Sequence, residues 1–174
     1  METLDLTHFN IHPDIIDDEY KHLDYISEQF NDTVTLEHWR NMGHTGAIGG
    51  LLCDMRNPQP SWNDKIVDTF VKVYGWKDVC TSYYKMLPGS SLPEHQDTYK
   101  KYIEIFNLQG KEQSIHRSIL FLEDWQSGHY LEVDNVPYVG WRQGYVRTWQ
   151  YNTSHVAANM GMTPRYTLQI TGHK

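Results

Sequence analysis

Cysteine is scarce in this chain. Cys53 and Cys80 are the only two in 174 residues, and they do not form a C-x-x-C pair. That spacing suggests neither a disulfide framework nor a thiolate metal site, and leaves two buried free thiols as the expectation. Long apolar runs are also missing, so no window approaches the roughly 20 residues that cross a bilayer. The opening Met1-Glu2-Thr3-Leu4-Asp5 has neither the basic stretch nor the apolar core of a secretory leader. A cytoplasmic protein with no membrane partner is expected. Basic charge is in deficit, with 15 Lys and Arg against 22 Asp and Glu and a formal charge of −7. Phosphate backbones are bound largely through Lys and Arg, so a nucleic-acid partner is not expected either. No repeat, low-complexity tract or linker divides the chain, and its length suits a single domain spanning 1–174.

Aromatic residues, by contrast, are plentiful, with 12 Tyr and 6 Trp. The first part of the chain, 1–78, reads as helical and loop support. Between Pro13 and Phe30, Ile16, Tyr20, Leu23 and Phe30 recur at near-helical spacing among acidic residues, which predicts an amphipathic surface helix started by Pro13 and Asp14. From Asn31 to Pro60, Gly43, Gly46, Gly49 and Gly50 suggest a loop or a close backbone approach, with a short strand at Leu51–Met55. A second helix follows, with Ser61 as its cap and Trp62, Ile66, Phe70 and Tyr74 as an apolar stripe ending before Gly75.

From Val79 the pattern becomes short β-branched and aromatic runs punctuated by Gly, Pro, Asn and Asp. Strands are predicted at 79–87, 102–108, 115–123, 129–133, 136–141, 145–151, 155–159 and 165–171, with a tight hairpin at Asp134-Asn135 and another turn at Arg142-Gln143-Gly144. About eight short strands at this spacing indicate an α+β protein whose 79–172 core is a double-stranded β-helix, a cupin-like jelly roll.

Within that core, His95-Gln96-Asp97 offers an imidazole and a carboxylate two residues apart. The spacing alone decides little, because with 10 His and 22 acidic residues about one H-x-[DE] arises by chance. The chain has three with Asp: His12/Asp14, His22/Asp24 and His95/Asp97. The first is explained by a helix start. The second lies on the predicted helix, where residues two apart point in different directions. The third follows a strand and the turn-forming Pro88-Gly89-Ser90-Ser91, and residues i and i+2 of an extended segment share a face. His155, opening a later strand, supplies a second imidazole. Two histidines and a carboxylate on one face of a metal, with other positions open, is the arrangement that suits non-haem Fe(II) oxygenases.

Arg165 and Thr167 share one face of the last strand, aiming a guanidinium and a hydroxyl together at whatever sits beside the metal. Arginine grips carboxylates through a bidentate fork. A small dicarboxylate chelating iron at one end and meeting Arg165 at the other satisfies both. Arg117, on the third predicted strand, could face the barrel interior and hold an anionic substrate or cosubstrate end, or could be a paired surface arginine. Tyr83 and Trp149 lie on strands expected to flank the metal and either line the pocket or pack in the core. His44, His116 and His129 have no partner at ligand spacing.

These residues resemble the 2-oxoglutarate/Fe(II)-dependent oxygenases over roughly Val79 to Gly172. The resemblance is carried by His95-Gln96-Asp97, His155 and Arg165-Tyr166-Thr167, with Gly144 before the strand that leads to His155 and Asn159 after it. The order Arg117-Ser118-Ile119-Leu120-Phe121-Leu122, Gly128-His129-Tyr130, Trp141-Arg142-Gln143-Gly144 and His155 to Asn159 is most similar to the aspartyl/asparaginyl β-hydroxylase-like branch. The chain departs from the aspartyl hydroxylase itself at Asp97, where that enzyme lacks the metal carboxylate, and at Ile119, where its motif has a histidine. The resemblance implies Fe(II) held by His95, Asp97 and His155. It implies 2-oxoglutarate held by Arg165 and Thr167, with Tyr83 and Trp149 beside it and O2 as cosubstrate. Hydroxylation of an amino-acid side chain, free or in a peptide or protein, would then release succinate and CO2. Two alternatives stay open: a metal-dependent cupin enzyme that uses no 2-oxoglutarate, and a non-enzymatic jelly-roll binding module.

Overall fold

Strict alternation along the last long strand organises the molecule. In the sequence Arg165 to Ile170, Arg165, Thr167 and Gln169 turn to one side and Tyr166, Leu168 and Ile170 to the other, as the period of two requires. The computed structural model describes residues 8–27 and 32–174. Its strands are β1 (His8–Asn10), β2 (Ile26–Ser27), β3 (Ala47–Ile48), β4 (Leu51–Asp54), β5 (Lys77–Met86), β6 (Ser90–His95), β7 (Ile115–Phe121), β8 (His129–Val133), β9 (Val136–Tyr138), β10 (Tyr145–Gln150), β11 (His155–Asn159) and β12 (Arg165–His173). Three α-helices accompany them: α1 (Thr33–Asn41), α2 (Asn63–Lys72) and α3 (Lys100–Phe106).

The strands form two sheets. The larger runs β1-β10-β7-β12-β5-β4-β2 and the smaller β3-β6-β11-β8-β9. Every pairing is antiparallel except β3 with β6. One face of the large sheet, through Tyr83, Leu120, Leu168 and Ile170, packs on Ile66 and Phe70 of α2 and on Ile11, Ile16 and Tyr20. Its other face, through Tyr84, Met86, Ile119, Phe121 and Trp149, meets Leu131, Val133 and Ala157 of the small sheet. Each fully buried aliphatic or aromatic side chain in these layers stabilises the fold by about 1.5–3 kcal/mol. The result is the expected α+β two-sheet jelly roll with supporting helices. Among the described residues no helix is long and apolar enough to cross a membrane.

The hairpin joining β8 to β9 matches expectation: Asp134 and Asn135 both take positive φ, 51° and 61°, as a two-residue primed turn needs. Gly50 makes the expected close approach. A Cβ there would lie 2.8 Å from the Tyr84 ring and from the Lys85 carbonyl.

Four local expectations fail, each for an identifiable reason. The helix predicted from Pro13 is instead two one-turn 3-10 segments, Pro13–Ile15 and Asp18–His22, followed by β2; residues 28–30 lie outside the described residues. Asp17 accepts from the Glu19 backbone N–H at 2.9 Å, a local bond that competes with a continuous helix. Ile16 and Tyr20 still reach the core. The strand predicted at 102–108 is α3, because Tyr102, Ile103 and Phe106 are half-buried at helical spacing while Glu104 and Ile105 are exposed. Ser61 does not cap α2. Its N–H and hydroxyl bond the Glu19 carboxylate at 2.7 and 2.5 Å, and the helix starts two residues later. The loop expected across 31–60 contains α1, capped by Asp32, which accepts from the Thr35 N–H at 3.1 Å.

Candidate metal centre

Pro93 determines where His95 points. In the ladder between β6 and β11, Ala157 faces Leu92 and His155 faces His95, so two steps on β11 match three on β6. The extra residue is a β-bulge at Pro93-Glu94, where a proline without an N–H is tolerated. The bulge reverses the alternation, so Leu92 and His95 both face the space between the sheets. Asp97 follows in the loop between β6 and α3.

The Nε2 atoms of His95 and His155 each lie 3.9 Å from an Asp97 carboxylate oxygen, and one ligand atom from each residue falls within 4.8 Å of the others. These separations are too long for hydrogen bonds. The donors surround a common point without satisfying one another.

The backbone fixes the tautomer. His95 Nδ1 donates to the Pro93 carbonyl at 2.7 Å, and His155 Nδ1 donates to the Thr153 carbonyl at 3.1 Å. A carbonyl only accepts, so each Nδ1 carries a hydrogen, and in the neutral ring the lone pair then falls on Nε2, which is how a metal-binding imidazole is oriented. Burial drives the His155 pKa down to about 4 against the opposing pull of Asp97, so this ring is neutral near neutral pH. For Asp97, burial acts upward, but Arg117 and then the two imidazoles outweigh it, and the carboxyl ends below its ordinary value. A neutral His155 and an ionised Asp97 are protonation states that a divalent cation requires. Trp39 of α1 meets the His95 ring edge-on at 5.8 Å, and Trp149 lies 5.0 Å from His155.

One cavity of about 110 Å³ joins His95, Asp97 and His155 to Arg117, Trp149, Arg165 and Thr167. Arg165 is 4 % exposed, and its guanidinium lies 5.8 Å from the Phe121 ring, 5.5 Å from Trp141 and 3.7 Å from Met86 Sδ. Among the described residues no carboxylate pairs with it, and its Nε–H has no acceptor. Burial lowers its pKa to about 10, which still leaves it charged at neutral pH. The indole N–H of Trp149 is likewise buried without an acceptor. Burying a cation with no carboxylate at ion-pair distance is costly; Tyr84 and Glu123 act on Arg165 only at longer range.

Arg117 is neither a surface arginine nor idle. It pairs with Asp97 at 3.2 Å, donates to Gln169 Oε1 at 3.0 Å and lies over the Tyr99 ring at 5.3 Å. Tyr83 is the one expected pocket residue that lies elsewhere. It faces the opposite side of β5, where its hydroxyl donates to Asn63 Oδ1 at 2.9 Å and its ring meets Trp62. Its neighbour Tyr84 takes the cavity place instead, directly opposite Thr167 in the β5–β12 register. Gln169 also borders the cavity. Gln169 was within reach of sequence reasoning, since it continues the Arg165, Thr167 alternation; Tyr84 was not, since one residue of register decides which tyrosine of β5 faces in.

His12 and Asp14 form an exposed pair at the start of the first 3-10 turn. His22 and Asp24 are both exposed, His44 is exposed, and His129 is buried on the Thr163 carbonyl. Among the described residues, His95, Asp97 and His155 are the group that could hold a metal ion such as Fe(II).

A prolyl-4-hydroxylase from Pseudomonas putida superposes on 94 % of this chain and 99 % of its own, with a TM-score of 0.52 and 13 % identity. The fold is a double-stranded β-helix. A non-haem monooxygenase solved as a nickel complex, ThoJ, covers 66 % of this chain and 54 % of its own at 21 % identity and a TM-score of 0.48. A cupin domain from Bordetella pertussis Tohama I covers 74 % and 97 % at 12 % identity and 0.41. No protein-family model matches the chain, and no curated protein sequence matches it. A His-x-Asp and a distal His converging in this fold suit a metal-dependent enzyme.

Proposed function

We propose that this protein is a 2-oxoglutarate- and Fe(II)-dependent oxygenase that hydroxylates an amino-acid side chain, free or within a peptide or protein. The observation that carries this reading is the buried Arg165 guanidinium, without a carboxylate partner among the described residues, in the same cavity as the three metal-ligating side chains. A metal site alone does not account for a second, separate demand for negative charge.

His95, Asp97 and His155 would hold the iron. Arg165 and Thr167 would take the far carboxylate of 2-oxoglutarate, and the Trp149 indole N–H offers one more donor to the same ligand. Iron with 2-oxoglutarate and O2 supplies the oxidation, with succinate and CO2 as by-products. The chain's own work is to bind, orient and exclude water. Two backbone carbonyls keep both imidazoles in the ligating tautomer, and Trp39 and Trp149 shield them. Arg117 keeps Asp97 ionised and is placed to meet an anionic part of the substrate. No side chain has to act as an acid or a base.

The test is mass spectrometry of amino acids and peptides incubated with protein, Fe(II), 2-oxoglutarate and O2, with succinate measured in parallel. The expected result is the mass of one added oxygen together with succinate release. Iron binding with no dependence on 2-oxoglutarate would favour a cupin enzyme of other chemistry. No metal binding at all would leave a binding module.

A further inference from the structure

We infer that a second recess, on the far side of Arg117 from the metal-ligating side chains, binds an anionic group, a carboxylate or a phosphate. The recess measures about 440 Å³, within the range of small-ligand sites. Arg117 borders both it and the metal cavity, so the guanidinium is the wall between them. Tyr99 shapes the junction. Its backbone takes the left-handed conformation, φ 51°, uncommon for a bulky residue, and this sets its ring beneath the Arg117 guanidinium.

The charge in the recess is opposite to that of the chain. Against a formal −7 for the whole protein, its lining brings together Arg117, Lys100 and Lys101 with one carboxylate, Asp32. Asp32 is already engaged, accepting from the Thr35 N–H at 3.1 Å and the Thr35 hydroxyl at 2.8 Å. Both lysines are exposed and neither lies within ion-pair distance of a carboxylate among the described residues, although Lys100 acts on Asp32 and Lys101 on Asp54 at longer range. Lys100 and Lys101, beside an Arg117 that is already paired with Asp97, leave this opening more positive than the acidic chain around it. A ligand anchored there lies beside Arg117, the residue that lines both cavities and pairs with Asp97. On the oxygenase reading, on which this last step rests, the recess holds the anionic end of the substrate while its reacting carbon enters the metal cavity.

Chemical-shift mapping of the purified protein with acetate, inorganic phosphate and acetamide tests this. Saturable shifts at Thr98 to Lys101 and at the Arg117 guanidinium are expected with acetate or phosphate, whichever anion the recess prefers, and not with acetamide. A Lys100→Ala, Lys101→Ala double variant should weaken the response roughly five- to ten-fold, whereas Arg165→Ala should leave it in place. Equal shifts from acetamide or from sodium chloride at matched ionic strength would overturn the inference. So would an unchanged response in the double variant, or its loss in Arg165→Ala. Because none of these probes needs iron, an intact acetate or phosphate response alongside failed 2-oxoglutarate binding would remove the oxygenase reading and keep the anion site.

Discussion

His95 and His155 face each other across the β6–β11 ladder with ring centroids 4.3 Å apart, and each is bonded through Nδ1 to the carbonyl two residues before it. The two rings are therefore presented in the same way, with Nε2 toward Asp97. Replacing either should remove metal affinity while the sheets survive. For His155→Ala the expected loss is about 100-fold or more in divalent-metal binding, together with succinate formation. Quenching of Trp39 and Trp149 fluorescence by added Co(II) would read the loss directly. Unchanged affinity in a folded variant would take His155 out of the site.

Gly144 is a structural counterpart to these ligands. Its φ is +87°, and a Cβ on it would stand 2.1 Å from the Ile11 carbonyl oxygen, because the Ile11 N–H donates to the Gly144 carbonyl at 2.7 Å. Gly144→Ala combines backbone strain with a backbone collision that no rotamer relieves. A loss of about 2–4 kcal/mol is expected in denaturant unfolding. A midpoint equal to wild type would mean that the N-terminal segment is not held there.

The two tyrosines of β5 separate core from site. Tyr83→Phe leaves the buried Asn63 side chain without its donor, so stability should fall by about 1–3 kcal/mol. Affinity for 2-oxoglutarate should not change, because the hydroxyl lies on the face turned away from the cavity. Weakened 2-oxoglutarate binding with unchanged stability would reverse that assignment.

Most of the core was legible in the sequence because its strands alternate cleanly, and β11 falls on 155–159 as read. His155, Arg165 and Thr167 lie on the cavity as strand ends and period-two spacing suggested, whereas Asp97 reaches it from the loop after β6 and not from an extended segment shared with His95. What was not legible depended on small offsets. The choice between Tyr83 and Tyr84 is a one-residue register question that β5 alone does not settle. The bulge at Pro93 reads in sequence as a turn, although the segment is strand β6. The composition of α3, aromatic and β-branched, suited a strand, and its half-buried face decided for helix.

His129 gives a pH prediction away from the metal-ligating residues. It is buried, and burial lowers its pKa, with the Thr163 carbonyl acting in the opposite direction. Below about pH 6.5 the unfolded chain takes up a proton at this histidine that the folded chain resists. Stability is thus fully present above that pH and declines as pH falls toward the lowered folded-state value. Melting temperatures between about pH 7.5 and about pH 5 should fall less steeply in His129→Gln than in wild type. Parallel slopes would show that His129 titrates alike in both states.

The most direct measurement is anaerobic titration of the Fe(II)-loaded protein with 2-oxoglutarate, following the weak visible charge-transfer band and comparing wild type with Arg165→Ala. The account predicts a band that appears only when 2-oxoglutarate is added, and an affinity about 30-fold or more weaker in the variant, with iron binding retained. A band that forms equally well without Arg165, or iron binding with no response to 2-oxoglutarate, would contradict it.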